Sequence, residues 1–298
     1  MLLGVLSVAC AQEPVRIVVP APPGGNLDMT ARAVAQRLAT LTGEPYVVEN
    51  RPGANTAIGT EYVAHAPADG RTMLMTGGSI VLTPWLQPVG YTPDELRPVV
   101  QVTVGHYALV ASSESKIVTA EDLIAQAKGR SQGLTCAAPP GPMWIACEQA
   151  KSRLDGKVTV IPYPGIGPAM TAIAGGHVDF AFLNAEAVEP MIKAGRLRVL
   201  ATSKGGAQPR LPRIVEVWPG FLLEGYAGLF VPARTPAEKV AQINREVNQI
   251  LNDAQFAAYM RDSQQEVAGG SPENFAASVD RDFRRYGDLV RKLNIEAR

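Results

Sequence analysis

The chain has little of what several common classes of protein need: net charge, cysteine, histidine, aromatic residues and long apolar runs. Its 298 residues carry 28 Lys plus Arg and 28 Asp plus Glu, so the formal net charge is zero. This balance argues against a nucleic-acid partner and against a polybasic contact with a membrane. No apolar run approaches the roughly 18 residues that a membrane-spanning helix needs. With 46% hydrophobic and 19% charged residues, the composition is that of a globular protein with a sizeable core.

Motifs of catalysis and of cofactor binding are also missing. The sequence has no Walker A loop, no H-E-x-x-H pair and no G-x-G-x-x-G fingerprint. It has no G-x-S-x-G elbow between a strand and a helix either, because the run GRSQG at 129–133 precedes the expected strand at 134–137 instead of following one. Its histidines, His65, His106 and His177, do not accompany a Ser or Cys in a recognised motif. The sequence therefore predicts a protein that is not an enzyme and uses no cofactor or metal. A hydrolase or transferase whose site is assembled only by folding is the alternative.

The first residues differ in character from the rest. Residues 1–9 are apolar, and Ala9-Cys10-Ala11 has the A-x-A form of a signal-peptidase site. Residues 1–11 are therefore expected to be the remnant of a signal peptide, which places the mature protein in the periplasm. Lipid anchoring through Cys10 is an alternative, although residues 7–9 make a poor lipobox. A cytosolic protein with a frayed apolar N-terminus is another.

Two cysteines remain after this cleavage, Cys136 and Cys147. In an oxidising compartment such a pair is a candidate disulfide. Cys136 is expected at the end of a strand and Cys147 about one turn into the next helix. A disulfide spans that separation if the helix packs back on its strand. The alternative is two unpaired, buried thiols.

Strands and helices alternate along the chain. The runs 17–19, 46–49 and 72–76 are apolar or β-branched and helical patterns lie between them, which indicates a sheet with helical crossovers. A second alternating region follows, and the apolar run 226–231 returns to the first. The sequence therefore predicts an α/β fold of two lobes, each a mixed or parallel sheet flanked by helices, with a hinge and a cleft between them. The predicted boundaries are a signal peptide over 1–11, one lobe over 12–105 plus 226–298, and a second lobe over 106–225.

A Pro/Gly-rich turn at residues 20–25 joins the first strand to the first helix. Asn26 is expected to be the N-cap of this helix, and Asp28 to lie in its first turn, where an acid suits the helix dipole. Glycine allows the backbone to approach a ligand closely, and the free N–H groups of a helix N-terminus bind anions. The turn is thus a candidate anion site, or else an ordinary connection between a strand and a helix.

Three blocks of sequence resemble the signatures of one family. VPAPPGGNLDMTAR at 19–32 is similar to the opening signature of the Bug-type receptors, the extracytoplasmic substrate-binding proteins of tripartite tricarboxylate transporters. VENRPGA at 48–54 and ADGRTML at 68–74 resemble the next two signatures. The resemblance implies a periplasmic binding protein with a type II-like, Venus-flytrap fold that captures a small organic acid for such a transporter. A ligand sensor that presents its closed form to a sensor kinase is the alternative binding function.

Dipoles of chain turns, not charged side chains, are expected to hold the ligand. The turns at the carboxyl ends of parallel strands lie along one edge of a sheet, which faces the cleft. Residues 163–169 (YPGIGPA) also resemble the family's Tyr-x-Gly-x-x-Pro-Ala block. Asp28 is assigned a supporting role in its turn, because a carboxylate repels an anionic ligand. The predicted ligand-binding residues are Ala21, Gly24, Gly25, Asn26, Gly77, Gly78 and Ser79 in the first lobe, and Ala137, Ala138, Pro139, Tyr163, Gly165, Gly167, Asn184 and Glu186 in the second.

One loop departs from the family pattern. Where the family has a Gly/Ser/Thr-rich loop, this chain has AAPPGPMW at 137–144. Each proline removes an N–H donor, and Trp144 adds aromatic surface near the cleft. The loop predicts that the distal part of the ligand is less polar than a second carboxylate, for example a ring or an amide. Packing of Trp144 in the core of the second lobe is the alternative. The expected ligands are organic acids, amino acids and pyridine carboxylates or amides, bound by a monomer.

Overall fold

The computed structural model describes residues 13–204, 211–223, 225–262 and 265–295; the predicted signal peptide with Cys10 lies outside them. The strands are β1 (Val15–Val19), β2 (Tyr46–Asn50), β3 (Thr72–Thr76), β4 (Leu96–Gly105), β5 (Tyr107–Ser112), β6 (Leu134–Ala138), β7 (Val158–Pro162), β8 (Phe180–Asn184), β9 (Leu197–Thr202), β10 (Gly225–Pro232) and β11 (Glu266–Val267). The helices are α1 (Asn26–Thr42), α2 (Ala57–Ala64), α3 (Ser79–Leu86), α4 (Ala120–Gly129), α5 (Pro142–Arg153), α6 (Ile166–Ala174), α7 (Ala185–Lys193), α8 (Ile214–Val217), α9 (Ala237–Leu251), α10 (Ala254–Asp262) and α11 (Pro272–Lys292). Within these ranges, no helix is both long and apolar enough to cross a bilayer.

The strands form two mixed sheets. The six-stranded sheet has the order β11-β4-β10-β3-β1-β2, and the five-stranded sheet the order β7-β6-β8-β5-β9. In the first sheet β1 is parallel to β2 and β3, and β10 lies antiparallel between β3 and β4. In the second sheet β6 is parallel to β7 and β8, whereas β5 is antiparallel to β8 and β9. The predicted α/β fold with two lobes and two mixed sheets is confirmed.

The chain passes between the sheets at two adjacent places. Gly105 ends β4, and His106 links it to Tyr107 at the start of β5. The return path enters β10 at Gly225, which pairs with Gly105. A β-carbon on Gly105 would lie only 2.9 Å from the backbone of Gly225, so the crossing strands need glycine there to approach this closely. Two neighbouring crossings of this kind act as a hinge. The predicted lobe boundaries at 105/106 and 225/226 remain a prediction.

Both faces of the first sheet are covered. Ile17 and Val19 of β1 are fully buried on one face, where they pack with α1 and α9. Val18 is fully buried on the opposite face, in the core formed by α2, α3 and α11. Side chains of a strand alternate between faces, and a sheet covered on both sides therefore needs a continuous apolar run. This requirement explains the sequence Ile-Val-Val at the centre of the lobe.

Helix α3 contains a proline, Pro84, in its interior, where proline is normally unfavourable. Proline lacks the N–H that would bond to the carbonyl of Ile80, four residues earlier. That carbonyl instead accepts a hydrogen bond from the hydroxyl of Tyr91 at 3.1 Å. The helix tolerates the proline because a side chain from another part of the chain replaces the missing donor.

The structure joins Cys136 and Cys147 by a disulfide, with 5.9 Å between their Cα atoms. Cys136 lies in the middle of β6 rather than at its end, and Cys147 lies in the second turn of α5. Both residues are fully buried in the core of the second lobe. The disulfide therefore ties α5 to the strand on which it packs.

Replacement of both cysteines by alanine is expected to lower the free energy of unfolding by about 2–3 kcal/mol. The bond closes a short loop, with a sequence separation of 11, and thereby restricts the unfolded chain. Urea unfolding of the variant and of the wild type measures the difference. The wild type in the presence of a reductant serves as the control and should lose about as much stability. An unchanged free energy of unfolding in both would contradict a stabilising disulfide.

Candidate functional site

A cavity of about 290 Å³, called the main cavity below, lies between the lobes near the hinge. Its walls are turns and strand ends of both lobes. The residues that line it from the side of the first sheet are Ala21, Gly25, Asn26, Leu27, Asn55, Thr56, Gly77, Gly78, Ser79, Thr103, Gly105, Tyr226 and Ala227. Those from the side of the second sheet are Tyr107, Pro140, Gly141, Pro142, Met143, Ile166 and Asn184.

Helix N-termini surround the main cavity. The helices α1, α3, α5 and α6 begin at residues that line it, and α7 begins directly after Asn184. The first N–H groups of a helix have no partner within the helix, and the helix dipole places partial positive charge there. In the described part of the chain, none of the cavity-lining residues has a charged side chain. The cavity is therefore suited to a small anion that is held by N–H groups instead of by a cation.

Two tyrosines line the main cavity where the chain crosses between the lobes. Tyr107 begins β5, and Tyr226 follows the first residue of β10. Burial raises the pKa of both phenols, with a further contribution from Glu186 for Tyr107 and from Asp282 for Tyr226. Both side chains therefore stay protonated and able to donate. The buried hydroxyl of Tyr226 has no hydrogen-bond partner among the described residues, and an unpaired buried donor of this kind calls for a functional explanation.

The segment before α2 is strained where it meets the main cavity. Ala54, Asn55 and Thr56 have φ values of 44°, 51° and 76°, a region that residues other than glycine seldom adopt. Asn55 and Thr56 line the cavity, and the buried hydroxyl of Thr56 has no partner among the described residues. Such strain persists only where the surrounding structure enforces it, and it is common at binding sites. The strained wall and its unused hydroxyl thus indicate a functional constraint.

A hydrogen-bonded series connects the lobes beside the main cavity. The Asn26 side-chain N–H donates to Glu186 Oε1 at 2.6 Å. Gln265 donates to the amide oxygen of Asn26, and Thr30 donates to Gln265 at 2.7 Å. The series orients the amide of Asn26 so that its N–H group faces the other lobe. The predicted N-cap role of Asn26 is therefore wrong: Gly25 is the N-cap, and the Asn26 side chain bonds across the cleft instead.

Glu186 is the acidic member of this contact. Its desolvation raises the pKa of the carboxyl to about 7, although hydrogen bonds from its own backbone and from Asn184 act in the opposite direction. The carboxyl therefore changes its charge near neutral pH while it lies between the lobes. Glu186 itself does not line the main cavity.

Asp28 holds the turn that carries the first wall of the main cavity. It is 3% exposed, and its carboxylate accepts hydrogen bonds from Gly24 N–H at 2.9 Å, from Arg32 Nε at 3.0 Å and from Asn50 Nδ2 at 2.9 Å. Burial alone would raise the pKa of Asp28, but these hydrogen bonds outweigh it and hold the pKa below its ordinary value. The carboxylate thus fixes the backbone of the turn, with its oxygens occupied by protein donors.

The free energy of unfolding of Asp28→Ala is expected to be about 2 kcal/mol lower than that of the wild type, because the variant loses three hydrogen bonds that hold the turn. The contribution of Asp28 should also vanish as the pH falls through its lowered pKa, since the protonated carboxyl accepts these bonds poorly. Urea unfolding at neutral and at acidic pH tests both statements. The matched control Asp288→Ala removes a carboxylate that is 77% exposed and should change the stability by less than about 0.5 kcal/mol. Equal losses in the two variants would contradict this role of Asp28.

The predicted ligand-binding residues divide into three groups. Those that line the main cavity are Ala21, Gly25, Asn26, Gly77, Gly78, Ser79 and Asn184. Ala138 and Tyr163 line a second cavity of about 160 Å³, called the side pocket below. Those that line neither are Gly24, Ala137, Pro139, Gly165, Gly167 and Glu186. The N–H of Gly24 bonds to Asp28, while Ala137 and Pro139 are buried, which explains why these residues do not face the cleft.

Several residues of the main cavity were not indicated by the sequence. Asn55 and Thr56 follow the glycine turn of the second signature block, yet nothing in their residue types signals a strained backbone. Tyr107 and Tyr226 begin predicted strands, and their position at the two crossings between lobes was the available signal. Met143, by contrast, is expected near the cleft from its place in the proline-rich loop, and it lines the main cavity. These cavity-lining residues come together only because one lobe closes against the other.

Two α/β lobes that enclose a cavity at a hinge, with helix N-termini as its walls, define a solute-binding protein of the Venus-flytrap type. The model of the tripartite tricarboxylate transporter family receptor matches residues 30–295, and the chain belongs to this family. The family predicted from the signature blocks is thereby confirmed.

Proteins similar in sequence or in structure match this chain over almost its whole length. Protein BugT of Bordetella pertussis is 30% identical, and the match covers 94% of this chain and 89% of BugT. The structure of R. palustris Rpa4515 with adipate is 28% identical, with a TM-score of 0.84, and covers 94% of this chain and 97% of its own. MatC from Rhodopseudomonas palustris with bound malate is 26% identical, with a TM-score of 0.81, and covers 93% of this chain and 98% of its own.

Proposed function

We propose that this chain is a periplasmic receptor that closes its two lobes around a small organic carboxylate and delivers it to the membrane subunits of a tripartite tricarboxylate transporter. The observation that carries the proposal is the main cavity, where helix N-termini of both lobes converge on a space without charged side chains. A carboxylate is the small anion that such N–H groups hold well without a counter-charge. The bound adipate and malate of the two structural relatives support this class of ligand.

The residues of the main cavity act in two sets. The N–H groups at the start of α1 and α3, around Gly25 and Ser79, bind the carboxylate from the first lobe. The hydroxyls of Thr56, Tyr107 and Tyr226 donate further hydrogen bonds from positions near the hinge. Ligand contact with both lobes favours the closed form, because the open form separates the groups of the first lobe from Tyr107 and from the helix N-termini of the second lobe.

Binding without turnover is the second part of the proposal. Ser79 is the one serine among the residues that line the main cavity in the described ranges, and no histidine, cysteine or acid lines it with Ser79. A serine without a neighbouring general base is a weak nucleophile. The chain therefore acts as a monomeric carrier whose partner is a transporter; a sensor kinase would be the partner only in the alternative.

Isothermal calorimetry with adipate, malate and related acids tests the proposal. We expect one ligand per chain, a rise in melting temperature on binding, and a ligand that NMR finds unchanged after prolonged incubation. Conversion of the ligand to a product would show that the chain is an enzyme and not a receptor. Absence of binding for every carboxylate at millimolar concentration would overturn the assignment.

Expression with the complete N-terminal segment, followed by cell fractionation, tests the periplasmic location. Residues 1–11 lie outside the described part of the chain, so the location rests on their sequence and on the family. Recovery of the cleaved protein in the periplasmic fraction is expected. Recovery of the full-length chain in the cytoplasmic fraction would contradict the periplasmic location.

A further inference from the structure

The side pocket adjoins the main cavity and is built from both lobes. Asn55, Pro140 and Gly141 line both spaces, so they form the boundary between them. On the first-lobe side the pocket is completed by the end of α3, and on the second-lobe side by Trp144 and Tyr163. The two spaces are therefore immediate neighbours, and one ligand can span both.

The walls of the side pocket are mainly aromatic and apolar. Trp144, Tyr163 and Leu86 line it, and no charged side chain is among the lining residues in the described ranges. Its volume of about 160 Å³ is close to that of an engineered apolar cavity, roughly 150 Å³, that holds benzene. The pocket therefore has the size of one aromatic ring.

The polar side chains on the first-lobe side of the side pocket are directed at each other. The Asn55 side-chain N–H donates to Gln87 Oε1 at 2.7 Å, and the Gln87 side-chain N–H donates to the carbonyl of Ala54 at 3.0 Å. The hydroxyl of Thr83 donates to the carbonyl of Asn55 at 3.0 Å. These donors serve to hold the strained segment and are already engaged. A second carboxylate would find few donors here, in contrast to the main cavity.

The loop that enters α5 adds to this contrast. Pro139, Pro140 and Pro142 have no N–H group, so the second lobe presents fewer backbone donors than a glycine- or serine-rich loop would. Trp144 packs against the core of the second lobe and also against the core that contains α3 and α11. Of the two roles considered for Trp144, core packing and ligand contact, the structure allows both, because one part of the ring system lines the pocket.

We infer that the side pocket is a subsite for an aromatic ring, and that the ligand is an aryl-substituted monocarboxylate. Its carboxylate binds at the helix N-termini of the main cavity, and its ring lies in the side pocket against Trp144 and Tyr163. The inference rests on the proposed function, since the main cavity must hold the carboxylate. It also assigns Trp144 and Tyr163 the role of selecting a ring over a second anionic group.

Calorimetry with two matched series of ligands tests the inference. One series is phenylacetate, 3-phenylpropionate and 4-phenylbutyrate, and the other is succinate, glutarate, adipate and suberate. We expect the best arylalkanoate to bind about 10- to 100-fold more tightly than the best dicarboxylate, the gain from burying a phenyl group. In Trp144→Leu and in Tyr163→Leu the arylalkanoate should lose about tenfold or more in affinity, while the dicarboxylate changes less than about threefold.

A matched control separates loss of the subsite from loss of stability. Trp85→Leu removes a tryptophan that stacks on Phe283 in the first lobe and lines neither cavity. This variant should bind both series as the wild type does. If the dicarboxylates bind as tightly as the arylalkanoates, or if neither pocket variant changes the ratio of the two affinities, the aromatic subsite is refuted and the carboxylate receptor stands. If neither series of ligands binds to the wild type, both the aromatic subsite and the carboxylate receptor are refuted.

Discussion

Replacement of Ser79 by aspartate is expected to weaken carboxylate binding by about 100- to 1,000-fold. Ser79 is the first residue of α3 and lines the main cavity. Two like charges about 4 Å apart repel by roughly 4 kcal/mol at the effective dielectric constant of a partly buried site, which corresponds to about three orders of magnitude in affinity. The new carboxylate would also occupy the partial positive charge of the helix that the ligand needs. Calorimetry of the variant with the best carboxylate ligand measures the loss.

Ser79→Asn is the matched control for this substitution. Its side chain has nearly the same shape as that of aspartate, but it is neutral. The asparagine variant should lose less than about tenfold in affinity, since only the shape of the cavity changes. An acid in the first turn suits the helix dipole, so the aspartate variant should also melt no lower than the asparagine variant. Equal affinities of the two variants would show that the main cavity does not hold an anion.

A fall in affinity with rising pH is the second large effect that we expect. The pKa of Glu186 is about 7 in the closed arrangement, against an ordinary value of 4.5. We expect the ordinary value in an open form, where the carboxyl is in water. Glu186 in the closed form then binds the proton more tightly than in the open form. Protonation of Glu186 therefore stabilises the closed form fully below pH 4.5, and this stabilisation is lost as the pH rises to about 7. Between pH 5.5 and 8 the affinity for a fully ionised ligand should fall by about 10- to 30-fold, with little change above pH 7.5.

The variant Glu186→Gln isolates this effect. Glutamine still accepts the hydrogen bond from Asn26 but does not titrate, so its binding should be nearly independent of pH from 5.5 to 8. His106 at the hinge is a second titratable group; burial and Lys204 lower its pKa, and it pairs with Glu266. If the glutamine variant keeps the whole pH dependence, His106 or another group is responsible, and Glu186 is not the titrating contact between the lobes.

The sequence predicted those parts of the site that depend on local chemistry. The turn at 20–25 and the turn at 77–79 have small residues between a strand and a helix, and both line the main cavity. The loop at 137–144 was recognised by its prolines and by Trp144, which lines the side pocket. In each case a few adjacent residues carry the signal. The exception is Asn26, whose type is typical of an N-cap but whose amide bonds to a residue of the other lobe.

The features that the sequence did not predict depend on contacts between distant segments. Pro84 is compatible with a helix only because Tyr91 supplies a donor, and no local pattern contains that information. The strain at Asn55 and Thr56 depends on hydrogen bonds with Gln87 and Thr83. The short strand β11 exists because it pairs with β4, more than a hundred residues earlier along the chain. Propensity and periodicity describe neighbours in sequence and are overridden by such contacts.

By itself, the sequence determined the family, the alternation of strands and helices, and the turns that carry the anion-binding backbone. These follow from short-range patterns: apolar runs for a sheet covered on both faces, and glycine or proline where a strand turns into a helix. Only the tertiary structure decided that helix N-termini from both lobes meet in one cavity, that a ring-sized pocket adjoins it, and that Glu186 lies between the lobes. The physical reason is that desolvation, dipole convergence and cavity shape arise from groups brought together by lobe closure, whatever their separation along the chain.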